Sequence, residues 1–128
     1  MMQKNAIGWV EIPVTDLDRA EKFYTDYFGF KMARQEEKKG FTMSWFPMDE
    51  GYGAAGTLIK GAGYVPSHEG VLVYFTAPNQ GTVEDGLKKA EGSGIKILVG
   101  KTDIGEHGFF GIIEDSEGNR IAIHSMKG

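Results

Sequence analysis

The chain has 128 residues, 41% of them hydrophobic and 25% charged, which suits one globular domain able to bury its own core. Its formal net charge of −4 and the lack of a long apolar run argue against nucleic acid, an anionic membrane surface or a bilayer as partners. Cysteine is absent, which excludes disulfides and thiolate chemistry, and the first residues do not resemble a signal peptide, so we expect a cytoplasmic protein.

Residues 6–30 predict a strand, a tight turn and an amphipathic helix. We expect Thr15 to cap the helix and Gly29 to end it. One face of the strand is apolar, and the other carries Trp9, Glu11 and Pro13. Because an indole, a carboxylate and a proline are unusual on one strand face, we expect that face to line a cavity.

The rest of the first half predicts three strands, at residues 30–34, 41–46 and 54–59. Residues 61–70 show no periodicity and contain glycine and proline, which is typical of a linker. We therefore divide the chain into a first module at 6–60 and a second module at 71–126.

The second module repeats the organisation of the first. A strand at 71–75 precedes a helix that Thr82 is expected to cap. Three further strands are predicted at 95–99, 109–113 and 120–125. The order βαβββ thus occurs twice, which predicts a single α+β domain in which two modules form a curved mixed sheet, with a central cleft and the helices outside.

Two segments carry a resemblance to a known family: VTDLDRAEKFYTDYFGF at 14–30 and GFFGIIEDSEGNRIAIHS at 108–125. With GTLIKGAGYVPS and GVLVYFTAPN between them, the chain resembles the vicinal oxygen chelate superfamily, which includes glyoxalase I, bleomycin-resistance proteins and extradiol dioxygenases. Within that superfamily, the chain looks like the branch of predicted enzymes related to lactoylglutathione lyase. The resemblance implies this same fold and a homodimer.

The resemblance also implies four metal-ligand positions, one on the first and last strand of each module. They fall on Trp9, Thr57, Val71 and Ala122, and none of these is a His, Gln or Glu. An indole N–H is only a donor, so Trp9 cannot act as a ligand. We therefore expect no cofactor at the usual metal site.

Glu11 and His124 lie two residues after Trp9 and Ala122, so each should share the inward face of its strand. A carboxylate beside an imidazole would form a proton-transfer pair, which makes these two residues the catalytic candidates. A structural hydrogen bond between them is the alternative, and a displaced divalent metal site is a third possibility.

An apolar cleft needs walls, and the aromatic residues of several strands are the candidates. The residues predicted to bind a ligand are Trp9, Trp45, Phe46, Phe75 and His107. Ordinary core packing is the alternative for Phe46 and Phe75, and an exposed loop position is the alternative for His107. Tyr52 and Tyr64 flank glycine-rich turns and are expected at the cleft edge or a subunit contact.

Three functions remain open at this point. The first is a binding protein for a small amphipathic molecule that lacks the usual metal. The second is a lyase or isomerase related to lactoylglutathione lyase, using Glu11 and His124. The third is a structural partner of another protein. The length of the linker permits the modules to pair within one chain or to exchange between subunits.

Overall fold

A computed structural model of the protein describes residues 6–49 and 53–128, so Tyr52 lies outside it. The first module contains β1 (Trp9–Pro13), α1 (Leu17–Phe28), β2 (Ala33–Lys38), β3 (Phe41–Trp45) and β4 (Ala55–Lys60). The second contains β5 (Val73–Thr76), α2 (Val83–Gly92), β6 (Ile97–Asp103), β7 (Phe109–Glu114) and β8 (Arg120–Ser125). The predicted α+β class and the repeat of βαβββ modules are confirmed. None of the helices described is long and apolar enough to cross a membrane.

Both modules have the same strand order. Sheet one runs β1-β4-β3-β2 and sheet two runs β5-β8-β7-β6. In each, the first strand of the module pairs in parallel with the last, and the other pairs are antiparallel. The expected curved sheet is therefore divided into two four-stranded mixed sheets, whose edge strands β1 and β5 are not hydrogen-bonded to each other.

Helix α1 is amphipathic, and its buried face covers sheet one. Its N-cap is Asp16, whose side chain accepts a hydrogen bond from the Arg19 backbone N–H, so the prediction of Thr15 as the cap is wrong by one residue. Thr15 donates instead to Glu117 of the other module. Gly29 ends the helix with a φ of 83°, as predicted for a residue without a Cβ.

Thr82 caps α2 as expected, with its hydroxyl accepting from the Asp85 backbone N–H at 3.1 Å. Two predicted strand boundaries differ from the structure, because they were assigned from side-chain periodicity, whereas a strand is defined by backbone hydrogen bonds to its neighbour. Strand β2 begins at Ala33, later than predicted, and has mostly exposed charged residues. Val71 precedes β5 and is 88% exposed, so its predicted place on that strand is wrong.

The core runs through both modules of one chain. Its buried residues are Ile12, Val14, Leu17, Ala20, Tyr24, Tyr27, Phe28, Leu58, Val83, Ala90, Ile113, Ile121 and Ile123. The Tyr24 hydroxyl donates to Asp115 Oδ2 at 2.7 Å, and the Asn119 amide donates to the Pro13 carbonyl at 2.8 Å. These contacts fix the two modules relative to each other and so define the space between their edge strands.

Candidate functional site

A groove with a volume of about 790 Å³ lies between the two modules, where β1 and β4 face β5. We call it the inter-module groove. Its lining residues are Val10, Ile12, Phe28, Gly29, Phe30, Phe46, Pro47, Gly53, Ala54, Ala55, Gly56, Val73, Tyr74, Phe75, Thr76, Ala77, Asn79 and Gln80. Its volume and apolar walls are typical of a site for a small molecule.

Four phenylalanines form the aromatic wall of the groove. Phe28 and Phe30 stack with ring centroids 4.8 Å apart and planes at 5°. Phe46 and Phe75 lie 5.3 Å apart and both contact the buried ring of Tyr24. Of the predicted ligand-binding residues, Phe46 and Phe75 therefore belong to the core and line the groove at the same time.

Polar residues line the groove at the end of β5, which we call its polar end, and Thr76 is the first of them. The other two are Asn79 and Gln80, in the short turn that follows β5. Both residues have positive φ, 58° and 56°, which is uncommon for a residue other than glycine. Their side chains are exposed and form no hydrogen bond with the part of the chain that the structure describes. Two free amides therefore stand beside an aromatic wall.

The sequence marks Pro78–Gln80 only as part of a turn, so these two amides are missed as site residues. The pattern of proline, two amide residues and Gly81 does favour a turn. It does not indicate which concave surface the turn faces. That placement depends on how the second module packs against the end of α1.

Trp9 and Trp45 lie on the opposite face of sheet one from Phe46, because side chains alternate along a strand. Their ring centroids are 6.4 Å apart in an edge arrangement, and the Trp45 indole donates to Gln35 at 3.1 Å. Trp9 is 59% exposed. The five predicted ligand-binding residues therefore do not share one surface, and the two tryptophans form a separate aromatic patch.

Glu11 and His124 each have a different partner. Tyr64 donates to the Glu11 carboxylate, and this hydrogen bond raises the pKa of the Tyr64 hydroxyl. His124 Nε2 lies 2.6 Å from the main-chain carbonyl of His107, whose own side chain is 76% exposed. Within the ranges described, no hydrogen bond or ion pair joins Glu11 to His124, and neither side chain lines the groove. Their catalytic role stays a prediction.

The usual metal of the family resemblance does not fit the residues at its expected positions. Trp9 offers only a donor, and the side chain of Ala122 has no ligand atom and is fully buried. Thr57 supplies a single hydroxyl, which is buried without a hydrogen-bond partner. In the described parts of the chain, no three His, Asp or Glu side chains converge on a possible ion. Metal ligation requires such convergence.

Comparison with known proteins agrees with the fold. The sequence model of one protein family, the Glyoxalase/Bleomycin resistance protein/Dioxygenase superfamily, matches residues 6–123. The chain belongs to this superfamily. No curated protein matches the sequence.

Solved structures of the superfamily share the architecture of this chain. A glyoxylase/bleomycin resistance protein/dioxygenase domain from Frankia sp. EAN1pec has a TM-score of 0.70 at 11% identity, with 98% of each chain covered. Glyoxalase I from Leishmania major has a TM-score of 0.69 at 21% identity, covering 96% of this chain and 88% of that one. A glyoxalase/bleomycin resistance protein from Streptomyces sp. CB03234 has a TM-score of 0.69 at 20% identity, covering 94% and 100%. These identities support a common fold alone.

Proposed function

We propose that this superfamily member binds a small amphipathic molecule in the inter-module groove without the usual metal. The groove itself carries the proposal, because it combines an aromatic wall with two unpaired amides at one end. Apolar walls supply affinity by burying apolar surface, and a few polar groups fix the orientation of the ligand. A cytoplasmic location stays a prediction.

A binding test can be localised to the groove by filling it. Ala54 is exposed and lines the groove, so Ala54→Trp places an indole in the space without touching the core. Ala62 is also exposed but lies in the linker outside the groove, so Ala62→Trp is the matched control. We expect uncharged aromatic fragments to raise the melting temperature of the native protein and of Ala62→Trp, but not of Ala54→Trp. Equal shifts in all three proteins would refute binding in the groove.

A lyase or isomerase that uses Glu11 and His124 is the second candidate. Exposed aromatic residues accompany these groups on the same sheet faces: Trp9 is 59% exposed and Tyr74 is 51% exposed. Such surfaces favour an interaction partner. We propose that a second copy covers them in a homodimer, which could bring Glu11 of one copy towards His124 of the other.

Metal analysis of purified protein tests the form of the enzyme that uses a displaced metal site. A displaced metal site predicts about one equivalent of a divalent ion, lost in both Glu11→Ala and His124→Ala, because each supplies a ligand. Glu91→Ala, an exposed position on α2, is the control. Metal present in the native protein and absent from both variants would favour the enzyme and contradict the metal-free binding protein.

A further inference from the structure

We propose that the ligand of the inter-module groove is an electrically neutral, flat aromatic molecule with an uncharged polar group at one end. This inference rests on the proposed binding function and specifies its ligand class. Its first support is composition: none of the eighteen described residues that line the groove is Asp, Glu, Lys, Arg or His.

Lys89 contacts the residue that precedes the groove residue Phe28 and is engaged by its main chain. Lys89 Nζ donates to the Tyr27 carbonyl at the end of α1, at 2.7 Å. Lys31, which follows the groove residue Phe30, is exposed and is not among the lining residues. A carboxylate entering the groove would therefore lose its hydration without meeting a counter-ion among the lining residues. Burying an unpaired charge is costly, whereas a neutral polar group needs only a hydrogen bond.

The aromatic rings of the wall favour an aromatic, and therefore planar, ligand. The Phe30 ring stacks on the buried ring of Phe28, and Phe75 packs at an angle against both, with centroids 4.9 Å and 6.0 Å away, so the partly buried rings of Phe30 and Phe75 are available to a ligand. Aromatic rings pair best in offset stacked or edge arrangements. A flat aromatic ligand can make both kinds of contact with this wall.

The backbone at the polar end gives an independent indication of a site. Positive φ costs about 1–2 kcal/mol at Gln80 and less at Asn79, because asparagine adopts this conformation more readily, and such strain is concentrated at functional sites. An amide side chain both donates and accepts hydrogen bonds. The pair therefore suits a carbonyl, amide or hydroxyl group, all of which are neutral.

The charge preference is measured with three derivatives of one anthracene ring: the amide, the carboxylate and the aminomethyl cation. Fluorescence titration at neutral pH should show binding of the amide, with the two charged derivatives weaker by about tenfold or more. Binding of the carboxylate or the cation as tight as that of the amide would overturn this inference and leave groove binding intact. Failure of all three to bind would overturn the proposed function as well.

Variants connect that preference to the polar end. Asn79→Gly and Gln80→Gly remove the amides and retain the left-handed backbone, so we expect folded proteins that bind the anthracene amide about fivefold more weakly. Lys39→Gly is the matched control, since Lys39 also has positive φ, 54°, in a distant turn. Gln80→Lys should increase the ratio of carboxylate to amide affinity about tenfold. Unchanged ratios in Gln80→Lys, or amide binding that persists in Ala54→Trp, would refute the assignment.

Discussion

At the scale of single residues, Glu117 is the most heavily engaged polar group between the modules. Its carboxylate accepts from the backbone N–H groups of Thr15 and Asp16, both at 2.9 Å, and from Arg19 Nε at 2.7 Å. The Glu117 side chain is fully buried. Burial acts to raise the pKa of Glu117, but the hydrogen bonds from Arg19 and from the two backbone groups outweigh it and lower that pKa to about 2.

Glu117→Gln should destabilise the protein by about 2 kcal/mol at neutral pH, because the charged acceptor is lost. A depressed pKa in the folded state means that the stabilisation is present above the ordinary carboxyl pKa. It is lost as the pH falls through the folded value of about 2. The difference between native protein and variant should therefore shrink between about pH 4.5 and pH 2. Urea unfolding across this range measures it.

Glu91→Gln is the control for that experiment, since Glu91 is exposed on α2. Its stability should track the native protein at every pH. The contribution of Asp115 to stability has the opposite pH dependence to that of Glu117. Burial raises the Asp115 pKa, so the contribution of Asp115 increases as the pH falls. Comparing variant with native protein cancels that contribution, and a difference that stays constant with pH would contradict the role of Glu117.

At the scale of elements, α2 depends on a glycine in its interior. Gly86 is buried, and the Tyr27 hydroxyl of α1 donates to its carbonyl at 2.8 Å. A Cβ at this position would lie 2.9 Å from Ile123 Cδ1 and 3.0 Å from Pro78 Cδ. The glycine therefore allows α2 to approach sheet two, α1 and the turn that carries Asn79.

Gly86→Ala should destabilise the protein by about 1 kcal/mol or more, since overpacking outweighs the gain in helix propensity. Gly92→Ala is the matched substitution in the same helix, because a Cβ there meets no atom within 4 Å. It should be neutral or stabilising by up to about 1 kcal/mol. Chemical denaturation of both variants measures the contrast, and a stabilised Gly86→Ala would show that the helix has room to shift.

At the scale of the whole molecule, the two modules share one core. The buried hydroxyl of Tyr24 reaches Asp115 of the other module, and the ring lies 5.6 Å from that of Phe75. A half of roughly sixty residues would be only marginally stable alone, because it buries a small share of its surface. We therefore expect the domain to unfold as one unit.

Tyr24→Phe should lower the melting temperature of the whole domain, by a loss of about 1–2 kcal/mol, without splitting the transition. Tyr74→Phe is the control, because Tyr74 is 51% exposed. Calorimetry tests the expectation through the ratio of calorimetric to van't Hoff enthalpy. Two separate transitions would mean that the modules fold independently.

Local pattern was enough to predict the repeat, the two faces of β1 and two of the helix ends. Alternation in β1 assigned Trp9 and Glu11 to the face opposite Val10, because side-chain direction in a strand has a period of two. The cap of α2 at Thr82 and the end of α1 at Gly29 were also predicted correctly, since both depend on neighbouring residues. The expectation that the usual metal ligands are missing also comes from the sequence alone, because none of the four positions that the resemblance implies is a His, Gln or Glu.

Only the tertiary structure decided which of these residues meet. Phe46 and Phe75 come from different modules and form one wall, whereas Glu11 and His124 are held by separate partners. The position of Asn79 beside that wall depends on the docking of one module on the other. The physical reason is the distance along the sequence over which each feature is determined. Periodicity and capping depend on residues a few positions apart, whereas a groove between modules depends on packing between distant parts of the chain.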